Sequence, residues 1–198
     1  MAKPELQWNS ATESLVKKIG EQSLSYQWLH RRSEDIYNYW NNYLAIPSIV
    51  LSTITGAGSI GFGDDGRDAS LILGSLSIVV SIISTLNSYF GYAKRSEAHR
   101  ITAIHYSKLY LQISIEMSLP RERRMNVKDF LKGIQEQMIR LNEVSPNISD
   151  AVIADYNKRF DDEPETIAKP EMCNGLSEIK VYMEPPSNPL IVPMEEKR

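Results

Sequence analysis

Two stretches of this chain carry no charge, and the sequence around them alternates polar and apolar positions at helical spacing. The longer stretch, Ala69 to Ala93, reads ASLILGSLSIVVSIISTLNSYFGYA. At ~1.5 Å per residue it spans roughly 37 Å as a helix, enough to cross a hydrocarbon core of ~30 Å with some tilt. Ser70, Gly74, Ser77, Ser81, Ser84, Ser88 and Gly91 recur within it at alternating steps of four and three. That spacing gathers them on one helix face. Lipid does not push helices together, so membrane helices associate through small residues and hydroxyl hydrogen bonds. The stripe therefore predicts a helix-packing or pore-lining seam, to which Asn87 adds an amide.

The other apolar stretch has its core at residues 43–62, inside a charge-free run from Ile36 to Gly63. Pro47 removes one helical hydrogen bond and predicts a kink. Ser48, Ser52, Thr55 and Ser59 make a second small-polar stripe at four-three-four spacing. Two stripes on consecutive spans, about 43–62 and 69–93, predict a transmembrane hairpin packed seam to seam. The short connection, Asp64 to Asp68, makes the spans antiparallel neighbours. Its acidic residues lack the twelve-residue ligand spacing of a calcium loop and read as a solvated tip. Arg31, Arg32, Lys94, Arg95 and Arg100 flank the spans on the side of the termini, against Arg67 alone at the tip. The positive-inside rule then puts both termini in the cytosol.

Flanking patterns extend the helices beyond the spans. Residues 1–9 read as a polar lead-in. Ser10 and Glu13 form a capping box opening an amphipathic helix with Leu15, Ile19, Gln22, Tyr26, Leu29, Ile36 and Trp40 on one face, and Gly20 as a weak point. Its aromatic later half (Tyr26, Trp28, Tyr37, Tyr39, Trp40, Tyr43) reads as core packing plus a membrane–water belt. After the second span nothing breaks the helix before Pro120; one face carries Ala98, Ile101, His105, Leu109, Gln112 and Ile115, a second Tyr106, Tyr110, Ile113 and Met117. Glu97 and Arg100 are placed for a weak surface ion pair. The basic corner after Pro120 reads as a solvated turn or a contact for anionic lipid. Asn126 caps a helix with Val127, Phe130, Leu131, Ile134, Met138 and Leu141 inward, and Ser149 a shorter one with Val152, Ile153, Tyr156 and Phe160 inward. Residues 10–160 thus form an all-α domain: a two-span hairpin whose helices extend into a cytosolic bundle. From Asp161 prolines punctuate a polar tail, 161–198, that builds no core of its own and is extended or ordered by a protein partner.

Composition removes several classes. The chain has 198 residues and a net charge of −3, with a pI near 5.7, so no basic excess argues for nucleic acid. A mean hydropathy of −0.32 reflects polar ends diluting an apolar middle. The single cysteine, Cys173, allows no internal disulfide. No apolar run lies at the start, so the internal spans serve as signal anchors. The histidines, His30, His99 and His105, have no metal-ligand spacing, and no nucleophile, phosphate-loop or metal motif occurs. The expectation is an integral membrane protein that is not an enzyme and uses no cofactor or metal.

One set of residues carries a resemblance. Leu44-Ala-Ile-Pro47, Ile54-Thr-Gly56, Leu86-Asn-Ser-Tyr89-Phe90, and Glu97-Ala-His99-Arg100 followed by Tyr106 resemble the SLATT family, two-transmembrane effector domains associated with nucleotide-second-messenger defence systems. The resemblance covers about residues 15–145, and Ser145-Pro-Asn-Ile-Ser with Tyr156-Asn-Lys-Arg-Phe160 is closest in pattern to versions from large DNA viruses. It implies a homo-oligomer that forms pores or perturbs membranes. The alternative is a structural membrane protein, such as one of a viral inner membrane, whose tail anchors a neighbour.

Overall fold

The computed structural model describes residues 7–61, 67–160 and 168–175. All regular structure among them is helical: α1 Ser10–Gly61, α2 Arg67–Phe90, α3 Tyr92–Ser118, a 3-10 turn Arg121–Arg123, α4 Val127–Val144, α5 Asp150–Phe160 and α6 Glu171–Asn174. The polar tip from Asp64 to Gly66, most of the lead-in and the tail beyond Gly175 lie outside the described residues. Asp68, expected in the tip, already sits in the first turn of α2.

One helix organises the rest. α1 runs for 52 residues, and a covered residue returns every seventh position: Val16, Ser23, His30, Tyr37, Leu44, Leu51 and Gly58. Four residues after each of the first six stands another sheltered one: Gly20, Gln27, Glu34, Asn41, Ser48 and Thr55. A straight α-helix drifts ~20° per seven residues, so a repeat kept over the whole helix obliges α1 and its partners to coil about each other. α1 packs on α2 along its second half and on α3 along its first. Pro47 lies inside α1 with its ring exposed, away from this seam, and the helix runs through it.

The partner strand of helix changes phase once. In α2 the sheltered positions are Leu73, Leu76, Val80, Ile83 and Asn87. Continued at seven, that face would reach Lys94, Ile101, Lys108 and Ile115. All four are exposed; α3 instead turns Tyr92, His99, Tyr106 and Ile113 inward. The two-residue shift is taken at Gly91, whose φ of 60° and ψ of 36° lie in the left-handed region that glycine enters without penalty. This corrects the expectation of an unbroken helix; of the two faces that the spacing draws on α3, the first is exposed at Ile101, His105 and Ile115 and buried only at Leu109. The second predicted face, with Tyr106 and Ile113, is the one that packs.

Gly20 is a contact, not a weak point. A Cβ there would stand 3.0 Å from Ile113 Cγ2, so α1 and α3 approach closely only because the side chain is absent. α4 closes the bundle with Phe130, Ile134 and Leu141 against Val16, Tyr106, Leu109 and Ile113, and Val127 is buried at its start. Its cap is the expected Asn126, whose Oδ1 accepts from Lys128 N at 2.9 Å. α5 packs Val152 and Tyr156 around Leu29, and Tyr156 donates to Ser25 Oγ at 2.9 Å.

Local chemistry at the bundle's far end departs from expectation. The α1 cap is made by Asn9 and Thr12: Thr12 N donates to Asn9 Oδ1 at 2.8 Å and Asn9 N to Thr12 Oγ1 at 3.0 Å. Glu13, freed from capping, binds Arg121 and Arg124, each at 2.6 Å. The two guanidiniums hold its carboxyl down at about 2. The basic corner is therefore folded onto α1. It also lies at the end of α3 opposite Gly91, roughly 40 Å away at ~1.5 Å per residue. Part of the tail is ordered on the chain itself: Pro170 is fully buried, Ala168 N donates to Glu21 Oε2 at 3.0 Å, and Cys173 packs against the Leu29 cluster.

Two glycines separate packing from propensity. Gly20→Leu should destabilise the fold by about 1–3 kcal/mol through overpacking at Ile113. Gly133→Ala, with nothing within 4 Å of the new methyl, should stabilise by about 0.5–1 kcal/mol. Denaturant titration in detergent reads both; equal effects would deny the close α1–α3 approach.

Candidate functional site: the polar seam from the histidine pair to the hairpin

The residues singled out by sequence fall into two groups. Those of the hairpin split across the α1–α2 contact. Ser48 is buried and its Oγ lies 2.7 Å from Ser84 Oγ, the one hydroxyl pair joining the two helices among the described residues. Thr55 is half-buried on the α1 seam. Asn87 is half-buried, and its Oδ1 is shielded without a hydrogen-bond partner. The remaining stripe faces outward. Ser70, Gly74, Ser77, Ser81 and Ser88 are exposed, as are Ser52 and Ser59 on α1. Nothing stands within 4 Å of a Cβ added at Gly74. Ser77 and Ser81 donate to the carbonyls of Leu73 and Ser77 at 3.0 and 2.9 Å, so their hydroxyls are satisfied within α2.

Within one copy, then, α2 meets α1 through aliphatic Leu73, Leu76, Val80 and Ile83, one step round the helix from the predicted seam. The covered α1 positions along the same stretch mix large and small side chains: Leu44, Ala45, Ser48, Leu51, Thr55 and Gly58. The outward stripe borders a groove of about 390 Å³ lined by Ser77, Ile78, Ser81, Ile82, Thr85 and Leu86. Around it Leu71, Ile72, Val79, Ile46, Ile49, Val50 and Ile54 are all exposed. Ser70–Ser118, with its joint at Gly91, is the one helical stretch among the described residues long and apolar enough to cross a membrane, and none of its most apolar window is buried in the fold.

The second group lies where hairpin meets bundle. Glu97 and Arg100 form the expected exposed pair, Arg100 Nε to Glu97 Oε2 at 2.7 Å. His99, between them in sequence, points the other way and is 1% exposed. Its Nδ1 lies 2.9 Å from Nδ1 of His30, also 1% exposed. Each ring is covered by a tyrosine: Tyr106 stacks on His30 at 5.6 Å and Tyr37 on His99 at 5.4 Å. The stack continues to Tyr26 beyond Tyr106 at 5.0 Å and to Tyr92 beyond Tyr37 at 6.3 Å. Six rings thus alternate between α1 and α3. Tyr106 Oη donates to Asn142 Oδ1 at 2.9 Å, tying the column to α4.

The electrostatics follow from burial. Loss of water, then the neighbouring imidazole, push His30 down to about 3; loss of water pushes His99 to about 4. Both rings are neutral at pH 7. One carries its proton on Nδ1 and donates; the other accepts on Nδ1 and carries its proton on Nε2. Burial also raises Tyr26 to about 12 and Tyr106 above its usual value. Among the described residues no group of three or more His, Cys, Asp and Glu is placed to hold a metal ion. His30 was not singled out by sequence, though it stands on the seven-residue repeat of α1, which marks it as covered.

No protein-family model matches this sequence, and neither a curated protein nor a solved structure is significantly similar to it.

Removing the Tyr106 hydroxyl tests the tie between column and bundle. Tyr106→Phe should cost about 1 kcal/mol, the net worth of a hydrogen bond whose acceptor is left behind. Tyr106→Ala should cost about 3–5 kcal/mol by opening a cavity between α1, α3 and α4. A cost near zero for both, read from denaturation midpoints, would remove the column from the core.

Proposed function

We propose that this chain is an integral membrane protein whose α1–α2 hairpin crosses a bilayer twice, with both termini and the α3–α5 bundle on the cytosolic side, and that it acts as a homo-oligomer that forms a pore or perturbs the membrane. The observation carrying the membrane assignment is the apolar exterior of the hairpin. Its aliphatic side chains lie open while the bundle half of the same α1 helix is well covered, and each exposed Å² of apolar surface costs about 25 cal/mol in water. Aromatic side chains support the boundary: Tyr39, Trp40 and Tyr43 cluster on α1 and Tyr89 with Phe90 on α2, all exposed, as suits rings at headgroup level. Arg31, Arg32, Lys94, Arg95 and Arg100 lie on the bundle side of that belt, which supports the orientation.

The outward stripe supports self-association. Gly74, Ser77 and Ser81 are open in one copy, and small residues are what membrane helices use to approach each other. Pore formation rests on the SLATT resemblance, with the outward Ser70, Ser77, Ser81 and Ser88 as lining; Ser84 and Asn87, expected to join them, are engaged on the α1 side. Neither span carries a charge, so such a pore would be weakly selective. One observation favours the second reading, a structural membrane protein: the Ser77 and Ser81 hydroxyls are bonded within α2, so the stripe can pack dry.

Three measurements test this. The protein should resist alkaline extraction from membranes, and Ser70→Cys in a Cys173→Ser background should label only from the side opposite the termini. Ser81→Leu should weaken cross-linking between copies, while Ile82→Leu leaves it unchanged. In liposomes the inserted oligomer should release dye above the empty-vesicle rate. Flux at the empty-vesicle level from an inserted oligomer would reject the pore and leave the scaffold.

A further inference from the structure

We propose that the His30–His99 pair is an acid-sensitive latch: it holds α3 against α1 next to the Gly91 joint while it shares one proton between the two Nδ1 atoms, and it releases α3 when both rings are protonated. The inference rests on the bundle geometry and not on the membrane reading.

The geometry counts protons. The neutral pair holds two, one between the Nδ1 atoms at 2.9 Å and one on the acceptor ring's Nε2. A first added proton goes to the free Nε2 of the donor ring. The Nδ1–H···Nδ1 bond survives, and the new charge lies against the stacked faces of Tyr106 and Tyr37. A second proton has only the accepting Nδ1 left. Two N–H groups then face each other at a distance that admits one hydrogen, so the bond is lost and two like charges stand buried together.

Little else near the pair can absorb that charge. The ionisable side chains about it are Tyr26, Tyr37 and Glu34 of α1 and Tyr106 and Arg95 of α3. Arg95 lies 5.9 Å over the Tyr37 ring, so it adds positive charge. Glu34 lies 3.7 Å from Arg31, and its buried Oε2 accepts no hydrogen bond, so it is the one carboxylate about the pair able to offset part of the charge. α4 meets the column with neutral Asn142. α5 brings Tyr156 onto Ser25, and Asp155 onto Arg32 at 2.7 Å. Glu97 is held by Arg100. Release has somewhere to go, because the chain turns at Gly91 immediately before α3.

The sign follows from linkage. Both rings sit below the ordinary histidine value of 6.5 in the closed state, so the separated state binds more protons. The latch is intact above about pH 6.5 and weakens as pH falls towards 4, by at most about 100-fold per pH unit for two protons. The test is amide hydrogen exchange on the full chain in micelles, corrected for the intrinsic pH dependence. Local opening at residues 26–37 and 96–106 should rise at least tenfold from pH 7 to pH 5, and the rise should vanish in His30→Gln/His99→Gln. Ring NMR on the wild-type sequence in a His105→Gln background keeps the test decisive if the double variant fails to fold: it should show one Nδ1–H and one Nε2–H ring at pH 7. Both rings becoming imidazolium while the amides stay protected would overturn the latch, as would an equal rise in the double variant.

Discussion

A helix of 52 residues that keeps one line of residues covered along most of its length is the constraint on which this structure depends. The line returns every seven residues from Val16 to Gly58. Whatever packs on α1 must follow it, and it does so through two helices of different character. α2 presents aliphatic side chains; α3 presents rings to rings. The same backbone repeat therefore serves two environments, and chemistry at the repeat positions changes from Ser23, His30 and Tyr37 to Leu44, Leu51 and Gly58 as it passes from bundle to hairpin.

The Gly91 joint follows from that change. Straight continuation of the α2 face would have turned Lys94, Ile101, Lys108 and Ile115 inward and so buried two lysines. The structure instead turns His99 and Tyr106 inward and leaves those isoleucines exposed at 45% and 62%. A single left-handed glycine makes the two-residue shift possible without breaking the pairing with α1. The shift brings His99 to His30, so the buried histidines and the joint are one arrangement.

Much of the fold was legible in the sequence, because helix periodicity and caps are local. The α4 stripe, its Asn126 cap, the Glu97–Arg100 pair and the all-helical class follow from spacing alone. Which of the two α3 faces turns inward did not, since one left-handed residue resets the phase and glycine in an apolar run gives no sign of which conformation it takes. The α1 cap fell to Asn9 because Glu13 had a distant use, the pair of arginines after Pro120. The small-residue stripe of α2 was legible as a stripe, but spacing does not say whether α1 or another surface covers it. His30 is legible only as a covered position of the α1 repeat, because its partner stands 69 residues away and is brought in by the fold.

The α1–α3 phase is the claim on which the rest hangs, and a disulfide reads it directly. Gly20 and Ile113 present Cβ positions 3.7 Å apart, within the usual range for a disulfide. In a Cys173→Ser background, Gly20→Cys with Ile113→Cys should oxidise readily to an intramolecular bond, and Gly20→Cys with Ile115→Cys should not. Efficient closure of the Ile115 pair in place of the Ile113 pair would mean that α3 continues the phase of α2, and would contradict both the joint at Gly91 and the buried histidine pair that depends on it.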